Sequence, residues 1–342
     1  MRLRSVTSAV LLVLAAGVLA GCASSEAAGN AGGQTITLYN AQHEQTTDAM
    51  IAAFTKQTGI NVRVVNDDED VLTAQIEQEG SRSPADVFYT ENSNWLQQLA
   101  DQGLLAQVDP NTLANVPQAD SAADGDWVGV SERVSALVYD SAKISASQLP
   151  KSILDMADPK YKGEFEIAPS ETDFWPLVAS VARANGDAAA LAWLKGLKAN
   201  ASEDNVPDNE TLTSDVSQGT TDFAVINHYY YYRQKASNGV GNAKLAYFAP
   251  RDPGYVASVS GAAVLKSSKH QAAAQEFLNF MTSAAGQNVL AHSDSFEYPL
   301  KSGVAANQTL PPLSSYQVNS FSPADLGTGE IAKQLLQEAG LI

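Results

Sequence analysis

The chain has very little cysteine: one residue in 342. That excludes an internal disulfide framework and any Cys-rich zinc or iron–sulfur site. Basic residues are also sparse, with 21 Lys and Arg against 38 Asp and Glu, a formal charge of −17. A nucleic-acid binder needs clustered Lys and Arg to meet phosphates, so that class is excluded as well. Histidine is rare, at four residues. GxSxG, Walker and dinucleotide fingerprints are missing, as are internal repeats, and no nucleophile–base constellation stands out. What is present is an ordinary 44% hydrophobic content, enough for a packed core. The length exceeds one comfortable domain and suggests two.

The amino terminus accounts for the single thiol. Arg2 and Arg4 precede an uncharged apolar run, Val6 to Ala20, too short to span a bilayer. The run ends in Leu19-Ala20-Gly21-Cys22, which resembles the lipobox of bacterial lipoproteins. This resemblance implies a signal peptide over residues 1–21, cleavage before Cys22, and acylation of that cysteine. Multiple acyl chains would hold the protein on a membrane without spanning it. Residues 22–34, rich in Gly, Ser, Ala and Asn, read as a tether. A free buried thiol is the plainer alternative for Cys22.

The folded part alternates strand and helix patterns. TITLY at Thr35 to Tyr39, INVRVV at Ile60 to Val65 and DVFY at Asp86 to Tyr89 read as strands. Helices are expected at Glu44 to Thr58 with Gly59 as its stop, at Asp70 to Glu79 with Val71, Leu72 and Ile76 on one side, and near Asn94 to Gln102. This β-α-β order implies a parallel sheet with right-handed crossovers. Further strands are expected at Val134 to Tyr139, Glu164 to Ala168, Thr221 to Ile226 and Ala257 to Leu265. Further helices fall at Phe174 to Ala184, Ala188 to Ala199, Tyr229 to Ala236, Lys269 to Met281 and Glu330 to Ala339. Phe277, Leu278, Phe280 and Met281 read as core, and His292 as part of a polar loop. The whole suggests a two-lobed α/β protein with a ligand cleft between lobes. Residues 35–130 plus 257–294 would form lobe 1, and 131–256 plus 295–342 lobe 2.

Ligands of open α/β sheets sit beyond the carboxyl ends of the strands. His43 and Glu91 occupy two such loops, after TITLY and after DVFY. The most unusual segment is Asn227-His228-Tyr229-Tyr230-Tyr231-Tyr232-Arg233 at a strand-to-helix junction. Four successive helical side chains cannot share one buried face. Two neighbours at a strand end can converge on one point. Phenolates are hard oxygen donors suited to a trivalent cation. A neutral His, one carboxylate and two phenolates total three negative charges, which balance Fe(III). Each residue also has a plain reading: His43 as a surface or capping residue, Glu91 as a first-turn acid, the tyrosines as packing or a sugar platform.

The segments LYNAQHEQTTDAMIAAFTKQTGI, SPADVFYTENSNWLQQLADQGLL, WVGVSERVSALVYD and FAVINHYYYYR resemble the ferric-iron-binding proteins of bacterial ABC importers. These are the transferrin-like members of the type II periplasmic binding proteins. The resemblance runs from about Thr35 to the end of the chain. It implies a type II two-lobed fold, each lobe a mostly parallel sheet flanked by helices, and no enzymatic activity. It implies iron ligands at His43, Glu91, Tyr229 and Tyr230, with Tyr231 and Tyr232 in support. Where the family has a second Asn, this chain has His228. Family members hold carbonate or phosphate beside the iron, using a Pro-x-Ser-Gly-Ala-Phe-like helix start and two asparagines, which match Asn209 and Asn227. Here the helix start reads Pro169-Ser170-Glu171-Thr172-Asp173-Phe174. A helix start attracts anions, and two acids in it would repel one. Ordinary anion binding is therefore not expected. Either Glu171 or Asp173 takes the anion's place, or both cap the following helix. Arg133 matches a cleft arginine. The expected partners are an ABC permease, ferric iron or a ferric chelate, and, through the lipid, the extracytoplasmic face of a bacterial membrane; the protein would be a monomer. The rival reading is a binding protein for a polyamine, sugar or organic cation stacked on the tyrosines.

Overall fold

Strand β1 (Thr35–Ala41) is buried at every residue but its first, as a central strand covered on both faces must be. It belongs to a computed structural model that describes residues 33–342. The expected signal peptide, Cys22 and most of the tether lie outside the described residues. Helix α1 (Glu44–Thr58) follows. It ends where expected, because Gly59 adopts φ 77 and its N–H caps Thr55 O. Then come β2 (Asn61–Asn66), α2 (Glu69–Glu79), β3 (Val87–Thr90), α3 (Ser93–Asp101) and the short α4 (Pro110–Leu113). In α2, Leu72 and Ile76 are buried as read, but Val71 is exposed. The helix is held by one narrow stripe, and Val71 falls outside it.

The long β4 (Val128–Asp140) is followed by β5 (Phe165–Glu166), α5 (Trp175–Asn185), α6 (Asp187–Asn200) and α7 (Asn209–Gln218). The chain continues through β6 (Phe223–Asn227), α8 (His228–Ser237), β7 (Ala243–Ala246), β8 (Ala257–Val264) and α9 (Gln271–Thr282). It closes with α10 (Ala284–His292), β9 (Tyr298–Pro299), α11 (Pro323–Leu326) and α12 (Glu330–Ala339). His292, read as a loop residue, is the last residue of α10.

The sheet order is β2-β1-β3-β8-β4-β6-β5, with β7 and β9 also paired to β4. Strands β2, β1 and β3 run parallel, as do β5 and β6. Strand β8 is antiparallel to both β3 and β4. Strand β4 changes partner along its length: up to Val134 it pairs with β8, and from Ser135 to Tyr139 with β6. One strand therefore runs through both lobes and ties them edge to edge. In lobe 1, Ile36, Leu38, Phe54 and Phe277 form a dry core, with the Phe54 and Phe277 rings edge to face at 4.9 Å. Phe165 and Phe223 pack in the other lobe. The two lobes face each other across a cavity of about 910 Å³.

Candidate metal centre

The carboxyl ends of β1, β3 and β6 converge on this cavity. His43 is the N-cap of α1, two residues past β1. Its backbone N–H donates to Gln42 Oε1 at 2.7 Å, and Gln42 Nε2 in turn donates to Ser260 Oγ at 3.0 Å. That chain fixes where the imidazole emerges. Glu91 follows β3 directly. Its backbone carbonyl accepts from Arg133 Nη1. Opposite, the strand-to-helix junction after β6 puts Tyr229 and Tyr230 in the first turn of α8, both buried. Their rings lie 4.2 Å apart at 30°. Tyr231 and Tyr232 are half-buried. The four tyrosines thus divide into a buried pair and a flanking pair.

Four polar side chains meet at the two phenols. Tyr229 Oη lies 3.1 Å from His43 Nε2, 2.9 Å from Glu91 Oε2 and 3.2 Å from Asp173 Oδ2. Tyr230 Oη lies 3.0 Å from the same Asp173 oxygen and 3.3 Å from Glu171 Oε1. His43 Nε2 and Glu91 Oε1 are 3.5 Å apart. Donor atoms about 2 Å from one ion sit roughly 3 Å from their neighbours, which is the spacing seen here. Among the described residues, no three His, Cys, Asp or Glu side chains form a metal cluster by themselves. The phenol oxygens are what join His43 on one side to the carboxylates on the other.

Arg133 and Asp173 form the floor. Arg133 is completely buried. Its Nη2 meets Asp173 Oδ1 at 3.1 Å and Asn92 Oδ1 at 2.7 Å, and its Nη1 donates to Ser260 Oγ at 2.7 Å. Asn209 Nδ2 donates to Glu171 and its Oδ1 accepts from Asn227 N at 3.2 Å. His228 faces away from this cluster. It stacks on Tyr298 and accepts from Val134 N at 3.2 Å through Nδ1.

The electrostatics follow from burial. Both phenols are pushed well above 10, by desolvation first and then by Asp173. Burial, reinforced by Asp173, likewise raises Glu91 well above its ordinary value. Burial, the largest single cause, pushes the Asp173 carboxyl up, but the Arg133 guanidinium together with hydrogen bonds from Asn227 and Asn92 holds the group below its usual range. His43 is lowered to about 3 by burial and then by Arg233. The site thus favours a neutral imidazole, protonated phenols and an ionised Asp173 carboxylate paired with Arg133.

Several contributors were not foreseen from sequence. Asn92 Nδ2 reaches both Asp173 at 3.2 Å and Glu69 at 2.9 Å. Arg233 lines the cavity. Ser131 and Ser260, both fully buried inside strands, bond Glu297 beneath Gln42. Polar residues interrupting apolar strands were the available signal.

The sequence matches the bacterial extracellular solute-binding protein family over residues 49–315. It is 40% identical over 311 residues to the Fe(3+)-binding periplasmic protein of Serratia marcescens, covering 90% of this chain and 91% of that one. It is 38% identical over 315 residues to the major ferric iron-binding protein of Neisseria meningitidis serogroup B, covering 90% and 93%. Among solved structures, iron-bound HitA from Pseudomonas aeruginosa superposes with a TM-score of 0.86 at 42% identity, covering 90% and 99%. The fold is the two-lobed α/β type of these proteins, and the chain belongs to the bacterial extracellular solute-binding proteins, beside those that bind ferric iron.

Proposed function

We propose that this protein captures ferric iron between its lobes and delivers it to the permease of an ABC importer. His43, Glu91, Tyr229 and Tyr230 are the proposed ligands. The observation that carries the reading is the convergence from opposite walls of the cavity of the His43 imidazole, the Glu91 carboxylate and the Tyr229 phenol, 2.9–3.5 Å from one another, with the Tyr230 ring 4.2 Å from that of Tyr229. Three are hard oxygen donors, the imidazole is borderline and none is soft, which suits Fe(III) and disfavours soft metals. Their charge on binding totals three negative, matching the ion. An ion held from both walls favours the closed arrangement of the lobes, because only there does it find all its ligands. Residues 35–130 with 257–294 would move as one lobe and 131–256 with 295–342 as the other. The ferric-binding relatives support binding of the ion, and the proposed role is its capture and release without chemical turnover.

Acylation of Cys22 would keep the protein at the extracytoplasmic face of the bacterial membrane, near its permease. A Cys22→Ser variant should leave the membrane fraction; retention there would refute the anchor. The binding test uses soluble protein starting at Ala23. Ferric iron should bind at one ion per chain and give a visible tyrosinate charge-transfer band. Absence of iron binding, with a polyamine or sugar bound instead, would overturn the proposal.

A further inference from the structure

The proposed four ligands leave a ferric ion short of its usual number of about six hard donors. The question is what completes the shell. Asp173 answers it by position. One of its oxygens is fixed from behind, 3.1 Å from Arg133 Nη2 and 3.2 Å from Asn92 Nδ2. The other faces forward, 3.2 Å from the Tyr229 oxygen and 3.0 Å from the Tyr230 oxygen. No other carboxylate touches both phenols among the described residues. Glu91 reaches Tyr229. Glu171 reaches only Tyr230, at 3.3 Å, and its other oxygen is taken by Asn209.

We infer that Asp173 is a fifth protein ligand to the iron, with Arg133 cancelling its charge, so that the protein binds iron without any small anion from solution. This rests on the ferric reading above. Charge accounting supports it: one Glu and two phenolates offset the ion, and the Arg133–Asp173 pair adds nothing, so the buried centre stays neutral. Arg133 has no spare terminal nitrogen for an outside anion, since Nη1 is held by Glu91 O and Ser260 and Nη2 by Asn92 and Asp173. The way in is also hostile to anions. Asp67, Asp68, Asp70, Asp208 and Glu210 line the cavity, with Arg233 the single lysine or arginine among its lining residues. Glu171 then acts as a positioning residue that orients Tyr230.

The test compares wild type, Asp173→Asn and Asp173→Ala. Iron is supplied as ferrous chloride oxidised in place by dissolved oxygen, in buffer free of bicarbonate and phosphate. Retention is then challenged with graded citrate. Wild type should load fully and show the same band and retention when bicarbonate or phosphate is added. Asp173→Asn should lose at least about 10- to 100-fold in retention and shift the band. Asp173→Ala should regain iron when acetate or bicarbonate is added, which a merely structural role would not permit. A wild-type requirement for bicarbonate or phosphate overturns the inference, even where an Asp173 variant fails to fold. So does an Asp173→Asn protein with unchanged band and retention. In both of those cases a tyrosine-dependent band leaves the ferric reading standing. A wild type with no band under any condition overturns both.

Discussion

The two walls of the site are built on opposite principles. On the lobe 1 side, His43 and Glu91 hang from the ends of parallel strands, with side chains 16% and 15% exposed. On the other side, Tyr229 is fully buried and Tyr230 is 3% exposed. Behind them lies the dry Arg133–Asp173 pair. One wall is largely buried but keeps partial exposure to the cavity. The other is sealed, and its phenols keep their protons because desolvation makes the phenolate costly. On the proposed reading a cation of high charge would replace those protons, so the sealed wall would supply selectivity and the partly exposed wall access.

Breaking the sealed wall should have the largest effect. A Tyr229→Phe, Tyr230→Phe double variant should lose the visible band and more than about 100-fold in ferric affinity, beyond the range of an outer-shell change. His43→Ala, on the partly exposed wall, should weaken binding but keep a band. Equal losses of the band in both variants would erase the contrast.

Acid should act next most strongly, and through the sealed wall. Both phenols are protonated far above neutral pH without metal, so ferric binding must release two protons, and a third from Glu91 below its own raised pKa. Affinity should therefore rise with pH and fall about 100- to 1,000-fold for each unit of acidification. His43, at about 3, is already neutral and contributes no proton above that value. Iron retention measured by equilibrium dialysis across pH 5–8, with free iron buffered, gives the slope directly.

Stability offers a third comparison. Arg133→Met leaves Asp173 buried without its partner and should cost about 3–5 kcal/mol. Phe54→Ala, deep in the lobe 1 core, should cost a similar amount of about 3–5 kcal/mol. Denaturant titration reads both, and only the Arg133 variant should also alter the iron band. The smallest effect is expected at the rim. Arg233→Ala should raise the His43 pKa from about 3, leaving it below 6.5 because burial is the larger cause. Proton NMR of the imidazole would show it.

Much of the scaffold was legible from sequence because it obeys simple periodicity. The helix at Glu44–Thr58, with Met50 and Phe54 buried and Gly59 as its stop, matches the expected bounds at both ends. The helix at Glu330–Ala339 does so too. Helix α7 escaped notice because its buried apolar stripe is only Leu212 and Val216. Its capping signals were present: Asp208 Oδ1 accepts from Thr211 N at 2.7 Å, and Gly219 closes the helix at φ 75. Strand β4 runs six residues earlier than the VSALVY stretch suggests. Its early half carries Ser131, Glu132 and Arg133, whose polarity hides the strand pattern. Two of them, Ser131 and Arg133, are fully buried and serve the site. The site shows the same division. His43, Glu91 and the tyrosine pair stood out by their place after strands. Asn92 and Arg233 did not, because their roles come from contacts across the cleft. Sequence also left Glu171 and Asp173 equivalent, and only the coordinates single out Asp173 as the carboxylate that meets both phenols.

The most direct measurement is a ferric titration of the soluble protein, followed in the visible, with wild type beside the Tyr229→Phe, Tyr230→Phe variant. A band that grows to one iron per chain and is absent from the variant is the predicted result. Tight iron binding with no such band, or a band that survives loss of both phenols, would contradict the assignment of the sealed wall as the metal's principal holder.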